Sequence, residues 1–223
     1  MNHRGLFRMR RLRRKILNLD ARMRDDYLLS SREPKLQIGG GWRLLDGWLN
    51  TDIDLVPDVM FMDATRSFPF EDNLFQFVFS EHMIEHVPYE KAVSMLRECH
   101  RVMRKGGVIR VVTPDLSSIV GLYRGNLSEI QQSYLSWFCA TFVQGEYPQS
   151  AVAVINAHFR LWGHQFIYDE ETLTAAMSGA GFSEVTRCSL GKSDYSMLRS
   201  LENEGRYPPG LLDFESVALE GTK

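Results

Sequence analysis

A short apolar strand that breaks into three consecutive glycines constrains this chain more than any other feature of its sequence. The residues from Lys35 to Gly41 read KLQIGGG, which predicts a buried strand followed by a tight loop. Glycine lacks the Cβ that would keep a ligand away from the main chain. In open α/β sheets, such loops lie outside the carboxyl ends of the strands and line ligand pockets. The stretch therefore predicts a nucleotide-type pocket at Gly39, Gly40 and Gly41.

An acidic residue follows the glycines in the next predicted strand, which runs from Leu49 to Asp54. A carboxylate at the end of a second parallel strand can accept hydrogen bonds from ribose hydroxyls. Asp52 is the first candidate for this role, and Asp54 is the second. Asp52 follows the glycines by far fewer than the roughly twenty residues of the nicotinamide-dinucleotide fingerprint, which disfavours a dehydrogenase.

The central part of the chain then alternates between strands and helices. Residues 58–63, 75–80 and 108–112 predict the third, fourth and fifth strands. A helix is predicted from Pro88 to the stop at Gly106, with Ala92 and Leu96 on its apolar face. Strand, helix and strand at this spacing predict a parallel sheet.

The last part of the chain predicts a lid and the completion of the sheet. Residues 121–168 are rich in aromatic side chains, and they fit either a helical lid over the carboxyl edge or an ordinary packed insertion. A helix is predicted over residues 169–180, and two final strands over residues 183–190 and 214–219. The predicted fold is therefore an α/β, Rossmann-like, mostly parallel seven-stranded sheet with helices on both faces, shortened first helices and a lid insertion after the fifth strand.

The charge of the chain is divided unevenly. Nine basic residues and one acidic residue precede Asp25, a balance of +8, whereas the whole chain carries −2, so the remainder carries −10. Leu12, Ile16, Leu19 and Met23 have the spacing of one helical face. We predict a basic amphipathic arm over residues 1–30, ahead of a single domain over residues 31–223. The arm suits an anionic surface or a phosphorylated substrate, although a docked helix with a solvated basic face has the same pattern.

Composition excludes several classes of protein. At 223 residues and 44% hydrophobic content, the chain can bury a core. Its three cysteines form no Cys-x-x-Cys pair, which argues against a disulfide framework or a thiolate zinc site. No apolar run is long enough to span a membrane or resembles a signal peptide. We therefore predict a cytoplasmic protein, without a transmembrane segment and with a partner other than nucleic acid.

Taken together, the motifs resemble those of the class I S-adenosylmethionine-dependent methyltransferases, particularly a compact group with a triple-glycine loop. The residues that carry the resemblance are Leu36–Gly41, Gly47–Ile53 (GWLNTDI), Asp63 with Phe68–Phe75, Ser80–His86 (SEHMIEH) and Leu96–Gly107. Five motifs in the order of the family are far more specific than any one of them.

The resemblance implies a cofactor, S-adenosyl-L-methionine, and roles for particular residues. It implies that Gly39, Gly40 and Gly41 hold the methionine part, Asp52 the ribose, and Asp63 and Ala64 the adenine, while Ser80, Glu81 and His82 face the methyl group. It also implies direct methyl transfer to an oxygen or nitrogen of a small molecule or glycan. His82 is the first candidate for the base that takes the proton, and Asp115 is the second.

Two other interpretations remain open at this stage. The segment His82-Met83-Ile84-Glu85-His86 matches H-x-x-E-H, so a zinc hydrolase with His82 and His86 as ligands and Glu85 as base is one of them. We nevertheless predict no metal ligand, because the motif follows a strand at once and no downstream ligand stands out. His158 and His164 end the lid and could reach the site. The other interpretation is a non-catalytic module that binds S-adenosylmethionine.

Overall fold

A seven-stranded sheet with the order β3-β2-β1-β4-β5-β7-β6 forms the centre of the protein. The structure is a computed structural model that describes residues 3–143, 145 and 148–223. The strands are β1 (Lys35–Ile38), β2 (Leu49–Asp52), β3 (Met60–Phe61), β4 (Phe75–Glu81), β5 (Met103–Pro114), β6 (Ser183–Cys188) and β7 (Ser216–Thr222). The first five strands pair in parallel, and β7 runs antiparallel to both β5 and β6. The predicted Rossmann-like, mostly parallel sheet is confirmed.

Eight α-helices accompany the sheet within the described residues. They are α1 (His3–Ile16), α2 (Leu19–Ser30), α3 (Tyr89–Val102), α4 (Leu116–Gly121), α5 (Glu129–Phe142), α6 (Ala151–Arg160), α7 (Glu170–Ala180) and α8 (Leu211–Glu215). Residues 39–48 and 53–59, which join the first three strands, contain no helix. The prediction of shortened first helices is therefore confirmed. None of the described helices is long and apolar enough to cross a membrane.

The core lies on both faces of the sheet. On one face, α3 and α7 pack against the strands through apolar residues at helical spacing, such as Ala92, Leu96 and Leu173. On the other face, Trp48 and Leu198 cover the central strands from loop segments. The carboxyl edge at β1 and β2 is therefore left without a helix above it, and the glycine loop occupies this edge.

The helix α3 ends earlier than the sequence predicts. It stops at Val102 rather than at Gly106, and β5 begins at Met103. Met103 pairs with Phe75 of β4, and its carbonyl accepts a hydrogen bond from Lys223 Nζ at 2.8 Å. Pairing in the sheet thus outweighs the helix propensity of residues 103–105. The sequence gives no sign of this contact because Lys223 lies 120 positions from Met103.

Two other predicted strands are wrong at their boundaries. The strand β3 has two residues rather than the predicted six over residues 58–63. Asp58 has a left-handed φ of 58°, which interrupts an extended backbone. The last strand begins at Ser216 rather than at 214, because Phe214 belongs to α8. Within the predicted insertion, residues 144, 146 and 147 lie outside the described residues.

The basic arm forms two helices rather than one continuous face. Asn18 adopts a left-handed φ of 52° between α1 and α2. Leu12 and Ile16 on α1 are 58% and 73% exposed, whereas Met23 on α2 packs against the core. The prediction that these residues share one helical face is therefore wrong. Asp20 anchors the start of α2, since its carboxylate accepts the Phe61 N–H of β3 at 2.9 Å.

A partly buried carboxylate joins α3 to the segment before β4. Glu98 accepts hydrogen bonds from the Arg101 guanidinium at 2.7 Å and from the Phe68 N–H at 2.7 Å. The Arg101 hydrogen bond, against the opposing effect of burial, lowers the pKa of Glu98 from 4.5 to about 2. A lowered folded-state pKa adds stability above the unfolded-state pKa, and this stability is lost as the pH falls towards the folded value.

We expect Glu98→Gln to lower the free energy of unfolding by about 1–3 kcal/mol at neutral pH, because it removes hydrogen bonds to a charged group. The difference from wild type should shrink as the pH falls from 4.5 towards about 2. Urea unfolding at several pH values measures it. The control is Glu33→Gln at an exposed glutamate. A difference between Glu98→Gln and wild type that does not change with pH would contradict the prediction.

Candidate functional site

The ends of β1, β2 and β4 meet at the carboxyl edge of the sheet. β1 lies between the other two, and Ile38 pairs with Thr51 on one side and with Ser80 on the other. The residues that follow these strands therefore lie side by side. In this way the structure brings together the glycine loop, the end of β2 and the segment Glu81–His82.

The glycine loop depends on the small size of its residues. Gly39 and Gly41 adopt left-handed φ angles of 70° and 54°. A Cβ on Gly39 would lie 2.2 Å from Met83 Cγ, so a larger residue would displace the segment after β4. A Cβ on Gly40 would lie 2.7 Å from Gln37 Oε1. The loop thus packs closely on two neighbouring side chains, and any side chain here would alter the space in front of it.

The N–H groups of the loop are used inside the protein. Those of Gly39 and Gly40 donate to the Thr51 carbonyl at 2.9 and 3.1 Å, and that of Gly41 donates to Asp52 Oδ2 at 2.7 Å. Asp52 Oδ1 accepts from the Asp54 N–H at 2.7 Å. A carboxylate offers about four lone-pair sites, so Asp52 can accept further hydrogen bonds. The loop therefore offers a ligand close approach to the backbone rather than free donors.

A cavity of about 270 Å³, which we call the loop cavity, opens in front of the glycines. Its lining residues are Gln37, Gly39, Gly40, Gly41, Trp42, Arg43, Glu81, His82, Asn203 and Arg206. Glu81 accepts hydrogen bonds from Arg43 Nη1 at 2.9 Å and from the Asn203 N–H at 2.8 Å. The carboxylate predicted to face the methyl group is thus paired with the cavity wall.

Gln37 is a site residue that the sequence analysis missed. Its side chain is buried at 3% exposure, and Oε1 has no hydrogen-bond partner among the described residues. An unpartnered buried acceptor is costly unless a ligand or water completes it. The only signal in the sequence was a polar residue between Leu36 and Ile38 of an apolar strand. Gln37 therefore places an unpaired acceptor in the wall of the loop cavity.

The other predicted cofactor residues lie along the same edge, outside the residues that line the loop cavity. Asp63 caps the turn after β3, where its Oδ1 accepts from Thr65 Oγ1 at 2.6 Å and its Oδ2 pairs with Arg66. Burial raises the pKa of Asp63, but the bonds from Thr65 and Arg66 lower it more, so the net shift is downward. Ala64 is buried, and Ser80 Oγ is buried without a hydrogen-bond partner in the described part of the chain.

His82 lies at the boundary of two cavities and lines both. Its φ is 48°, and its N–H donates to the Val112 carbonyl at 2.9 Å. The Nε2 atom lies 3.4 Å from Ser216 Oγ, and Nδ1 lies 3.3 Å from Glu85 Oε1. The imidazole is stacked on the Tyr207 ring, with centroids 6.4 Å apart. These contacts hold both ring nitrogens at the junction.

The carboxylates around His82 make its imidazole a stronger proton acceptor. Burial lowers the pKa of His82, but contact with Glu85 and the charges of Glu215 and Glu81 raise it more. The net direction is therefore upward. A positioned imidazole beside buried carboxylates can accept a proton from a reacting group, because its charged form is stabilised there.

The second cavity, which we call the aromatic cavity, has a volume of about 340 Å³. It is lined by His82, Glu85, His86, Pro114, Phe138, Phe142, Trp162, His164, Arg206, Tyr207 and Glu215. The rings of Trp162 and Phe142 are perpendicular, with centroids 5.1 Å apart. The insertion over residues 121–168 therefore contributes a wall of this cavity through α5 and the segment after α6. His82 and Arg206 line both cavities, so the two spaces meet there.

Two buried carboxylates face the aromatic cavity. Glu85 Oε1 and Glu215 Oε2 have no hydrogen-bond partner among the described residues. Burial raises the pKa of both groups, but His82 and His86 beside Glu85, and His158 and His82 beside Glu215, lower it more. The net direction of the pKa is therefore downward for both groups. The wall of the aromatic cavity thus contains two carboxyl groups, one of them with Oε1 3.3 Å from His82 Nδ1.

Asp115, the second predicted base, is held in a structural role. Its Oδ1 accepts the Ser117 N–H at 2.9 Å and caps α4, and its Oδ2 pairs with Arg187 at 3.4 Å. Asp115 is not among the described residues that line either cavity. Pro114, which precedes Asp115 in the chain, is the residue of this segment that lines the aromatic cavity. The carboxylates near His82 are Glu85 and Glu215 instead.

The H-x-x-E-H segment does not form the helix that a zinc peptidase needs. Only residues Ile84–His86 are helical, as a short 3₁₀ turn, and His82 has a left-handed φ before it. The two histidines therefore do not lie one turn apart on one α-helix face. The predicted placement of His82 and His86 as two zinc ligands one helical turn apart is therefore wrong. His158 is packed inside the lid, where Nε2 contacts the Tyr134 hydroxyl at 3.1 Å.

A buried ion pair holds the loop that carries Asn203 and Arg206. Arg110 of β5 is fully buried, and its guanidinium donates to Glu202 Oε1 at 2.6 Å and to Glu220 Oε1 at 2.7 Å. Glu202 precedes Asn203, whose N–H binds Glu81. The network thus connects the centre of the sheet to the wall of the loop cavity. The sequence did not indicate it, because its members are 92 and 110 residues apart.

Comparisons with known proteins agree with this architecture. Residues 49–111 match a family model described as a methyltransferase domain. An S-adenosylmethionine-dependent methyltransferase from Archaeoglobus fulgidus is 15% identical with a TM-score of 0.50, and the match covers 100% of both chains. One from Mesorhizobium loti is 13% identical with a TM-score of 0.50 and covers 85% of this chain and 90% of the other. No significant match was found among the curated proteins. At these identities the solved structures establish similarity of fold.

Proposed function

We propose that this chain, whose residues 49–111 match a methyltransferase-domain model, is a class I S-adenosylmethionine-dependent methyltransferase that methylates an oxygen or a nitrogen of a small molecule or glycan held in the aromatic cavity. The observation that carries this proposal is that the loop cavity and the aromatic cavity meet at His82 and Arg206. A cofactor in one space and an acceptor in the other would meet at these residues. His82 would then lie beside the reacting atoms.

The residues of the loop cavity suit the two charged ends of the cofactor. An ammonium group matches the unpartnered Oε1 of Gln37, and a carboxylate matches the half-exposed guanidinium of Arg206. Asp52 keeps lone pairs for the ribose hydroxyls. Asp63 and Ala64 stay the residues predicted to lie by the adenine, and Ser80 stays predicted to face the methyl group. The bound cofactor supplies an electrophilic methyl carbon on a sulfonium, and the sulfur keeps the electron pair when the methyl group leaves.

The aromatic cavity would orient the acceptor. Trp162, Phe142 and Tyr207 offer apolar faces, while Glu85 Oε1 and Glu215 Oε2 offer acceptors for its O–H or N–H groups. Holding the acceptor in line with the carbon–sulfur bond lowers the entropic part of the barrier.

His82 would take the proton that the acceptor loses. The bond from the acceptor oxygen or nitrogen to the methyl carbon forms as the proton moves to the imidazole. The resulting imidazolium is stabilised by Glu85 and Glu215, whose carboxylates lie beside it. Asp115 stays the second candidate from the sequence, although its hydrogen bonds to α4 favour His82.

The test is formation of S-adenosylhomocysteine from S-adenosylmethionine in the presence of panels of amines, phenols, carboxylic acids and glycans. Turnover with one acceptor class, and none with the others, would support the proposal. Tight binding of S-adenosylmethionine with no turnover on any panel would favour the alternative, a non-catalytic binding module. No binding of S-adenosylmethionine would overturn both.

We also propose that α1 binds an anionic membrane surface. The helix exposes Met9, Leu12 and Ile16 among arginines and a lysine. Apolar residues that enter the headgroup region, surrounded by cations, are typical of interfacial helices. This proposal depends on charge complementarity between the exposed side of α1 and the surface, while Arg14 holds the other side through its hydrogen bond to the Val59 carbonyl at 2.7 Å.

The exposed residues Arg8, Arg10 and Arg13 test this surface. Replacing all three with glutamate should reduce binding to phosphatidylglycerol vesicles more than tenfold at low salt, because each cation contributes about 1 kcal/mol near such a surface. Vesicle sedimentation measures the effect, which should shrink as salt increases.

The control is a variant in which exposed Lys91, Arg97 and Lys105 become glutamate. It makes the same change of charge away from α1 and should bind vesicles nearly as well as wild type. The proposal would be contradicted if both variants lost the same amount of vesicle binding. It would also be contradicted if the wild type bound neutral vesicles as well as it binds phosphatidylglycerol vesicles.

A further inference from the structure

Three potential metal ligands converge on one side of the aromatic cavity. Glu85, His86 and His164 each present one ligand atom, and the three atoms lie within 4.8 Å of one another. The imidazoles of His86 and His164 meet edge to face, with centroids 4.8 Å apart. His164 comes from the segment after α6, 78 positions beyond His86, so only the fold brings it to the 3₁₀ turn.

The carboxylate of this group is buried, and only one of its two oxygens accepts a hydrogen bond within the described residues. Glu85 is 0% exposed, and its Oε1 has no hydrogen-bond partner among the described residues. Its Oε2 accepts a hydrogen bond from Thr113 Oγ1 at 2.9 Å, which fixes the orientation of the group. The one other group near Oε1 in the described part of the chain that is an ion-pair partner is the His82 imidazole, whose Nδ1 lies 3.3 Å away. A buried carboxylate oxygen without a close hydrogen bond can still accept a cation.

The hydrogen bond of His164 determines which of its nitrogens is available. Its Nδ1 lies 2.6 Å from the carbonyl oxygen of His158. A carbonyl only accepts, so Nδ1 carries the proton and Nε2 keeps a free lone pair in the neutral ring. Histidines that bind metals commonly donate their other N–H to a carbonyl in this way.

The backbone holds the two segments together. The N–H groups of Gln165 and Phe166 both donate to the Glu85 carbonyl, at 2.7 and 3.2 Å. These hydrogen bonds therefore hold His86, which follows Glu85, close to His164, which precedes Gln165. The ligand geometry rests on this link rather than on mobile surface side chains.

We infer that Glu85, His86 and His164 form a binding site for a divalent transition metal, open to the aromatic cavity. Two imidazoles and one carboxylate are a donor set suited to zinc and to other first-row ions. Metal–ligand bonds of about 2.0–2.1 Å place tetrahedral ligands about 3.4 Å apart, so atoms that are separated by up to 4.8 Å must draw together by up to about 1.4 Å on binding. Three protein ligands leave a position open towards the cavity.

This site extends the predicted hydrolase motif in a different form. His82 is not a member of the cluster, and the third ligand is His164. Metal binding itself does not depend on methyl transfer. Its use in the reaction, as a positive charge that orients an oxygen or nitrogen of the acceptor and lowers its pKa, rests on the proposed function.

The experiment titrates the purified, full-length protein with zinc and with cobalt(II), by calorimetry and by visible absorption. We expect one ion per chain, with cobalt bands of a tetrahedral or five-coordinate site. Glu85→Gln, His86→Asn and His164→Asn should each weaken binding about tenfold or more and alter the bands. His100→Asn, a histidine on α3 outside both cavities, should leave them unchanged.

Two further measurements keep the outcomes distinct. Thermal unfolding of each variant without metal checks that the fold persists. If the histidine variants unfold, Glu85→Gln still tests the site, because it keeps the size of the side chain. S-adenosylmethionine is titrated in parallel. Cofactor binding without metal binding would overturn this inference and leave the proposed function standing. Metal binding that is equal in wild type and in all three ligand variants would also overturn it.

Discussion

Replacing His82 with alanine should lower the rate of the chemical step by about 10²–10⁴-fold, because a positioned general base contributes that much. Affinity for S-adenosylmethionine should change little, since the loop cavity has many other lining residues. Single-turnover measurements with the acceptor found in the panel separate the chemical step from binding. The size of the effect follows from the place of His82 at the junction of both cavities.

The backbone at His82 calls for a second variant. Its φ of 48° is left-handed, a conformation that asparagine tolerates better than alanine does. His82→Asn therefore removes the base with less backbone strain. It should lower the rate of the chemical step by the same factor as His82→Ala. Asp115→Asn should cost less. Full activity in His82→Asn together with a large loss in Asp115→Asn would assign the proton to the carboxylate after β5.

The succession of strands along the chain and the position of the glycine loop followed from the sequence because both depend on local patterns. An apolar run that ends in glycines, or alternating strand and helix segments, carries its own periodicity and turn signals. The strands β1, β2 and β4 were therefore placed close to their observed positions, and the shortening of the first helices was predicted as well. The prediction of one helical face in the arm was wrong because Asn18, with its left-handed φ, separates α1 from α2. The apolar spacing in the sequence continues across this residue and does not reveal the break.

The residues that complete the site were missed because they depend on contacts between distant segments. Glu215 reaches the aromatic cavity only because β7 runs antiparallel beside β5. Arg206 reaches the loop cavity because Arg110 holds Glu202, and the pattern around each of these residues is ordinary by itself. His164 was noted as a residue that could reach the site, but its contact with His86 could not be identified from spacing. A single sequence contains no direct measure of such distances.

Replacing Gly40 with valine should reduce the affinity for S-adenosylmethionine by about 100-fold or more. The Cβ of any residue here would lie 2.7 Å from Gln37 Oε1, so the glutamine amide must move. Because the amide oxygen is the unpartnered acceptor in the loop cavity, its displacement removes a charge-assisted hydrogen bond of about 1.5–3 kcal/mol. The branched side chain also occupies space that the ligand needs. Calorimetric titration with S-adenosylhomocysteine measures the loss without turnover.

Two other variants show whether this loss arises at the cofactor site. Gly125→Val makes the same change at a glycine with nothing within 4 Å of the added Cβ, and it should bind the cofactor as wild type does. Asp52→Ala should also weaken binding, because it removes an acceptor for the ribose and frees the Gly41 N–H that holds the loop. Thermal unfolding should show that Gly40→Val remains folded, since the clash is with the end of a flexible side chain. Unchanged affinity in both Gly40→Val and Asp52→Ala would mean that the cofactor does not bind beside the glycines.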